Sequence, residues 1–351
     1  MRLIHGKPFM GFHTRFADHE AVDGLCRLID EGLAPIGINA LILEFNPGYS
    51  YRCFPEYANG TVTYEDCVRI RDFCRERGIQ AIPLFQCLSH QSDHLKSARP
   101  WKLLKAHPEF DETPDTPDDA VWPAFYTHSW CASNDDIYQY IFPMMDELIE
   151  AFDTDLLHIG MDEVFEIASC SRCRGKNPAE LFARTVKILH DHLAEKGVRT
   201  MMWGDRLLDA KKLGYQMWEA DKFGMYPAFD RAEEVTRDIV ITDWHYDLHD
   251  HGYPSVSQFM QAGFDVIPSF GSSREQALHF AKFAMEDVYL GNKYNWPGKM
   301  AGFLFTQWKV LTGEGADEIL EGIRTGIPTE EEWTFRNVGC SIKAVIEKYQ
   351  R

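Results

Sequence analysis

No apolar stretch in the 351-residue chain approaches the roughly 20 residues that a membrane-spanning helix needs. Positive charge is also in short supply. Against 54 Asp and Glu stand 36 Lys and Arg, a formal charge of −18. So acidic a surface repels phosphate backbones and anionic lipid, so neither nucleic acid nor a membrane is an expected partner. The opening residues Met1-Arg2-Leu3-Ile4-His5-Gly6-Lys7-Pro8 lack the apolar core of a signal peptide. With Met1 as the native start, a cytoplasmic location is expected. No low-complexity linker or mid-chain shift in composition marks a boundary, so residues 1–351 read as one domain. No G-x-G-x-x-G follows a first strand, which leaves a doubly wound nucleotide fold only as a fallback. Nine cysteines, an odd number widely scattered, suggest buried free thiols rather than a disulfide framework. Cys170-x-x-Cys173 could be half of a zinc site, but no second pair follows at suitable spacing. The pair reads as structural loop thiols, and neither a metal nor a cofactor is expected.

What is present is 45% hydrophobic residues, enough for a substantial core. Short apolar runs alternate with helical patterns. The strand candidates are Phe9–His13, Asn39–Phe45, Gln80–Gln86, Leu156–Gly160, Arg199–Gly204, Ile239–Trp244, Asp265–Ser269 and Gly302–Thr306. Between them lie helical stretches at Ala21–Glu31, Tyr64–Arg77, Asp136–Phe152, Ala179–Lys196, Ser255–Ala262 and Glu275–Asp287. Arg77-Gly78-Ile79, Lys196-Gly197-Val198 and Ala262-Gly263-Phe264 each read as a helix cap turning into a strand. Eight strands with interleaved helices predict an α/β fold, a single (β/α)8 TIM barrel. The connection from Cys87 to Ile137 is too long for an ordinary loop and carries Trp101, Trp122 and Trp130. An excursion over the barrel mouth is expected there.

The richest stretch is Leu156-Leu157-His158-Ile159-Gly160-Met161-Asp162-Glu163-Val164. A buried strand cannot carry acids in its middle, but it can where it emerges into a cleft. Consecutive strand residues point to opposite sides, so Asp162 and Glu163 are expected to play different roles. Other strand ends in a barrel converge on the same place. They supply Arg15, Glu44, Asn46, His90, Trp203, Asp205, Trp218, Asp243, Trp244, His245, Tyr246, Gln307 and Trp308. Four indoles and a tyrosine gathered with carboxylates suit a sugar, since aromatic faces pack on pyranose C–H groups while polar edges bind hydroxyls.

His158-Ile159-Gly160-Met161-Asp162-Glu163-Val164 resembles the H-x-G-G-D-E signature of glycoside hydrolase family 20, the β-N-acetylhexosaminidases. The helix Phe182–Gly197 and Met202-Trp203-Gly204-Asp205 are similar to the same family, above all its compact hexosaminidase D-like branch. The resemblance implies exo-hydrolysis of terminal β-linked GlcNAc or GalNAc from an amino-sugar glycoside. It also implies a retaining mechanism in which the 2-acetamido group is the nucleophile. Glu163 would then be the general acid, which needs a pKa well above the ordinary carboxylate, and Asp162 would brace the acetamido N–H. Tyr246 would bond the acetamido carbonyl. Trp203, Trp244, Trp308 and Trp218 would wall the pocket, Arg15 would bind ring hydroxyls, and His158 would support the acid pair from below. His90 and Asp205 complete the expected substrate-binding set. Met161 departs from the signature, standing where the family has its second glycine. Lys309 stands where many relatives carry a glutamate nearby.

Two competing readings have sequence support. His245, His249 and His251 cluster with Asp247 and Asp250, as in a metal-dependent barrel hydrolase. Met161 and the divergent second strand would suit a sugar-binding barrel that has lost turnover.

Overall fold

The eight apolar runs form eight strands because each is buried on both sides, with side chains alternating between barrel interior and helix layer. In the computed structural model, which describes residues 6–45, 48–94, 97–221 and 236–349, they close into one parallel barrel in sequential order. The strands are β1 (Phe9–Arg15), β2 (Ala40–Glu44), β3 (Gln80–Cys87), β4 (Leu156–Gly160), β5 (Arg199–Trp203), β6 (Val240–Trp244), β7 (Asp265–Phe270) and β8 (Gly302–Val310). The predicted barrel is the observed one. Four strands outrun their predicted ends: β3 and β7 by one residue, to Cys87 and Phe270, and β1 and β8 by more, to Arg15 and Val310. Pairing at the rim continues through polar residues, where the apolar pattern gives no signal.

The longer helices are α1 (Val22–Leu28), α2 (Tyr64–Arg75), α3 (Tyr138–Phe152), α4 (Pro178–Glu195), α5 (Pro254–Ala262), α6 (Arg274–Tyr294), α7 (Gly313–Thr325) and α8 (Phe335–Tyr349). Their starts follow local chemistry. Thr63 and Asp66 form a reciprocal capping box on α2. Asn177 caps α4 with Pro178 at its first position, and Ser273 caps α6. The predicted helices are all present, whereas α7 and α8 lie beyond the last of them. Those two cross with their backbones in contact: a Cβ on Gly322 would sit 2.1 Å from the Arg336 carbonyl oxygen, and one on Gly339 equally close to that of Ile319. Only glycine permits that approach.

Residues of one parity fill the interior. Ala40 and Ile42, Ile82 and Leu84, Met201 and Trp203, Ile267 and Leu304 pack together there with Phe9. The other parity faces the helices and forms a larger outer core. Towards the C-terminal ends the interior turns polar, with His13, His158, Thr242 and Thr306 fully buried. That polar layer is the floor of the site.

Candidate active site

Above this floor a cavity of about 600 Å³ opens at the C-terminal mouth. Its size suits a small molecule, and its position is where barrel strand ends converge. Arg15, Glu44, Gln86, His90, Asp162, Glu163, Trp218, Trp244, Tyr246 and Trp308 line it. Three of the residues given wall or supporting roles sit behind the lining instead, as do the buried Asp243 and His245. Trp203 is fully buried because its register pairs it with Thr242, two residues short of Trp244. Its ring packs 5.4 Å from Trp308 and 4.6 Å from His158, so it supports the wall from beneath. His158 is likewise buried, its Nε2 2.7 Å from Thr242 Oγ1 while its Nδ1 accepts the Gly160 N–H. Burial, with His13 nearby, holds its pKa well below the ordinary histidine value. A neutral ring suits its double role as donor and acceptor. Asp205 lies one layer back, bonded to Arg206 Nε at 2.7 Å and to the indole N–H of Trp244 at 3.3 Å. It also accepts the backbone N–H of Glu163 at 2.9 Å, so it positions the acid rather than touching the cavity. Asn46 lies outside the described residues.

The turn after β4 is strained. Gly160, Met161 and Glu163 have φ of +67°, +77° and +48°. A left-handed conformation comes readily only to glycine, so Met161 bears a cost its position would spare a glycine. Such strain is typical of functional sites. At Gly160 a side chain is excluded outright, since a Cβ would lie 2.1 Å from Gln86 Oε1. The close approach lets Gln86 donate to Asp162 Oδ1.

Asp162 and Glu163 are thereby held differently. Asp162 is buried, and although burial raises its pKa, His90 and Gln86 together bring it below the ordinary aspartate value. Glu163 reaches further into the cavity, where Tyr126 donates to its Oε2 at 2.7 Å. His90 bridges the pair, its Nε2 3.5 Å from Asp162 and 3.3 Å from Glu163. Burial opposes charge on that ring, but Asp162 and then Glu163 prevail and raise its pKa to about 10. While both acids are ionised, a protonated imidazole therefore keeps them together.

This pairing has a testable pH signature. A raised folded-state pKa stabilises most below the unfolded value of 6.5, and the contribution fades as pH climbs towards about 10. The His90→Asn variant should therefore melt below wild type at pH 6, with the gap narrowing towards pH 10. Thermal denaturation across that range checks this; a constant gap would show that His90 is not charged.

Opposite the acids, Trp308 donates its indole N–H to Tyr246 Oη at 2.7 Å. Tyr246 lies 2.9 Å from Thr306 Oγ1, whose own proton goes to the Phe270 carbonyl. Trp244 stacks on Tyr246 with centroids 5.1 Å apart. Arg15 is held by Glu44, Nε to Oε1 3.2 Å. The sequence reading missed Tyr126 and Trp333. Tyr126 comes from the long excursion, which also supplies His90, Ser92 and Thr127 and does cover the mouth. Trp333, from the α7–α8 loop, packs edge-on to Tyr246 at 5.1 Å. Gln86 carried a usable signal, as the last inward-parity residue of β3.

The histidines of the metal reading take other partners. His245 Nδ1 and His249 Nε2 meet Glu219 at 2.9 and 3.0 Å, and His245 Nε2 lies 2.9 Å from Ser255 Oγ. His251 instead bonds the Leu213 carbonyl. Glu219, though buried, is drawn down to about 2 by His245 and His249, which suits a charge-paired brace.

Comparison with known proteins agrees with this geometry. Among solved structures, the chitobiase of Flavobacterium johnsoniae aligns at a TM-score of 0.66 and 18% identity, over 97% of this chain and 50% of that one. Dispersin B aligns at 0.59 and 17%, over 98% of this chain and 100% of that one. An exo β-N-acetylglucosaminidase from Vibrio harveyi, solved with N-acetylglucosamine, aligns at 0.62 and 14%, over 98% and 57%. The chain thus spans half the length of the chitobiase, and at these identities the likeness speaks for the barrel. No curated protein sequence matches. The catalytic-domain model of glycosyl hydrolase family 20 matches residues 43–288, from the end of β2 into α6. That span holds both acids and most of the cavity wall, and the chain belongs to glycosyl hydrolase family 20.

Proposed function

We propose that the protein is an exo-acting β-N-acetylhexosaminidase that cleaves terminal β-linked GlcNAc or GalNAc with retention of configuration. One observation carries this: adjacent carboxylates with different surroundings face an aromatic-walled cavity open at the barrel mouth. Glu163, on the cavity side, protonates the glycosidic oxygen as the bond to C1 breaks. The substrate's acetamido oxygen attacks C1, and Asp162, anionic and buried, accepts the acetamido N–H and balances the oxazolinium charge. Water then attacks C1, giving its proton to Glu163. Tyr246 donates to the acetamido carbonyl by turning its hydroxyl from Thr306. Trp244, Trp308 and Trp218 cover the sugar faces, and Arg15 takes ring hydroxyls. Trp203, His158 and Asp205 act from behind, by holding the wall and the turn. Placement in the hexosaminidase D-like branch rests on the sequence motifs. A cytoplasmic location belongs to the same proposal and is supported by nine free thiols; no described helix is long and apolar enough to cross a membrane.

A panel of p-nitrophenyl β-glycosides tests the reading. Turnover of the N-acetylglucosaminide or N-acetylgalactosaminide, strong preference over the 2-hydroxy glucoside, and inhibition by N-acetylglucosamine-thiazoline are expected. Binding of the aminosugar without hydrolysis would favour a non-catalytic barrel.

A further inference from the structure

Away from the cavity floor, the fold brings together three thiols that sequence spacing kept apart. Cys131 Sγ lies 3.5 Å from Cys170 Sγ and 3.4 Å from Cys173 Sγ. Cys131 lies late in the excursion, next to an antiparallel bridge between Asp111 and Trp130. Cys170 and Cys173 lie in the loop that follows Glu163, in a tight turn where the N–H groups of Cys173 and Arg174 bond the Cys170 carbonyl. A fourth group completes the set. Glu112 is 1% exposed, and its Oε1 accepts the backbone N–H groups of Ser169 and Cys170. Its Oε2 has no partner among the described residues. One donor atom from each of the four residues falls within 4.8 Å of all the others.

We propose that Glu112, Cys131, Cys170 and Cys173 form a structural site for a thiophilic divalent cation of the zinc class. A buried carboxylate oxygen without a hydrogen bond is costly, and a cation removes that cost. Around tetrahedral zinc, with Zn–S near 2.3 Å, neighbouring sulfurs stand about 3.8 Å apart, close to the spacing here. Disulfide sulfurs would stand at about 2.05 Å. Three protein thiolates and a carboxylate leave no position open for substrate, as in closed structural sites. Binding needs no oxidant: each thiol gives its proton to solvent as its sulfur takes the metal. Lys176, reaching Ser133 Oγ at 2.9 Å beside Cys173, adds a positive charge at the rim of an anionic cluster. The ion would bolt the excursion, which carries His90 and Tyr126, to the loop that carries Glu163. The C-x-x-C pair finds its missing thiol 39 residues upstream, on a separate segment of the chain.

Metal analysis of the full-length protein, purified without chelator after growth in zinc-supplemented medium, tests the site. About one zinc per chain is expected, with Cys170→Ser and Cys173→Ser retaining at least about tenfold less. If those variants fail to fold, wild-type protein stripped of metal and reloaded with cobalt(II) gives an independent readout: tetrahedral visible bands with thiolate charge transfer in the near ultraviolet. Wild type carrying no zinc and giving no cobalt–thiolate bands would overturn the proposal. So would a count of two fewer than nine free thiols in the unreduced, denatured chain, which would reveal a disulfide. None of these readouts involves glycoside turnover, so the metal site and the hexosaminidase reading fail separately.

Discussion

Glu163→Gln is expected to lower turnover of substrates with poor leaving groups by at least about 100-fold, the usual worth of a general acid. Glutamine keeps the shape and can still bond the Tyr126 hydroxyl, but it has no proton to give the departing oxygen. The size of the loss should therefore follow the leaving group. On a dinitrophenyl glycoside, whose aglycone departs as a stable anion, much of the activity should survive the first step. On a disaccharide it should nearly vanish. Steady-state kcat across such a series decides the matter. Near-wild-type turnover of the disaccharide would remove Glu163 from the acid role.

Asp162→Ala should cost about 100- to 1000-fold in kcat/KM on 2-acetamido substrates, the range for losing one oriented stabilising group. Asp162 is 4% exposed and held by Gln86 and His90, so its carboxylate is already oriented before a substrate arrives. An oriented anion stabilises a developing cation without reorganising, which is why the loss should fall on the transition state. The thiazoline, which mimics the cyclised intermediate, should lose affinity in parallel with kcat/KM. Unchanged inhibition in a folded Asp162→Ala protein would dissociate Asp162 from the acetamido group. Circular dichroism must accompany the measurement, since removing Asp162 leaves His90 with Glu163 alone.

The barrel was legible in the sequence because its strands are buried on both faces and appear as short apolar runs, each closed by a polar rim. The glycines after the helices added punctuation: Gly263 does sit in the left-handed cap of α5, with φ +95°. The pair α7 and α8 went unread because it follows the last strand, where no alternation with β-structure points to it. At the site, Asp162, Glu163, Trp244, Tyr246 and Trp308 came from strand ends and were found from strand position. Tyr126 and Trp333 come from loops, and loop residues carry no period that tells where they will land. Trp203 shows the opposite limit. Its parity is right, and only the register against Thr242 puts it a layer too deep.

The amino-acid pattern alone therefore determined eight strands, their order along the chain and two acids at the end of the fourth, because burial and alternation are local properties. Tertiary structure alone decided how deep each strand end sits, that His90 bridges the acids, and that Cys131 meets Cys170 and Cys173. Strand stagger and loop closure set those outcomes. They depend on contacts between segments tens of residues apart, which no local pattern encodes.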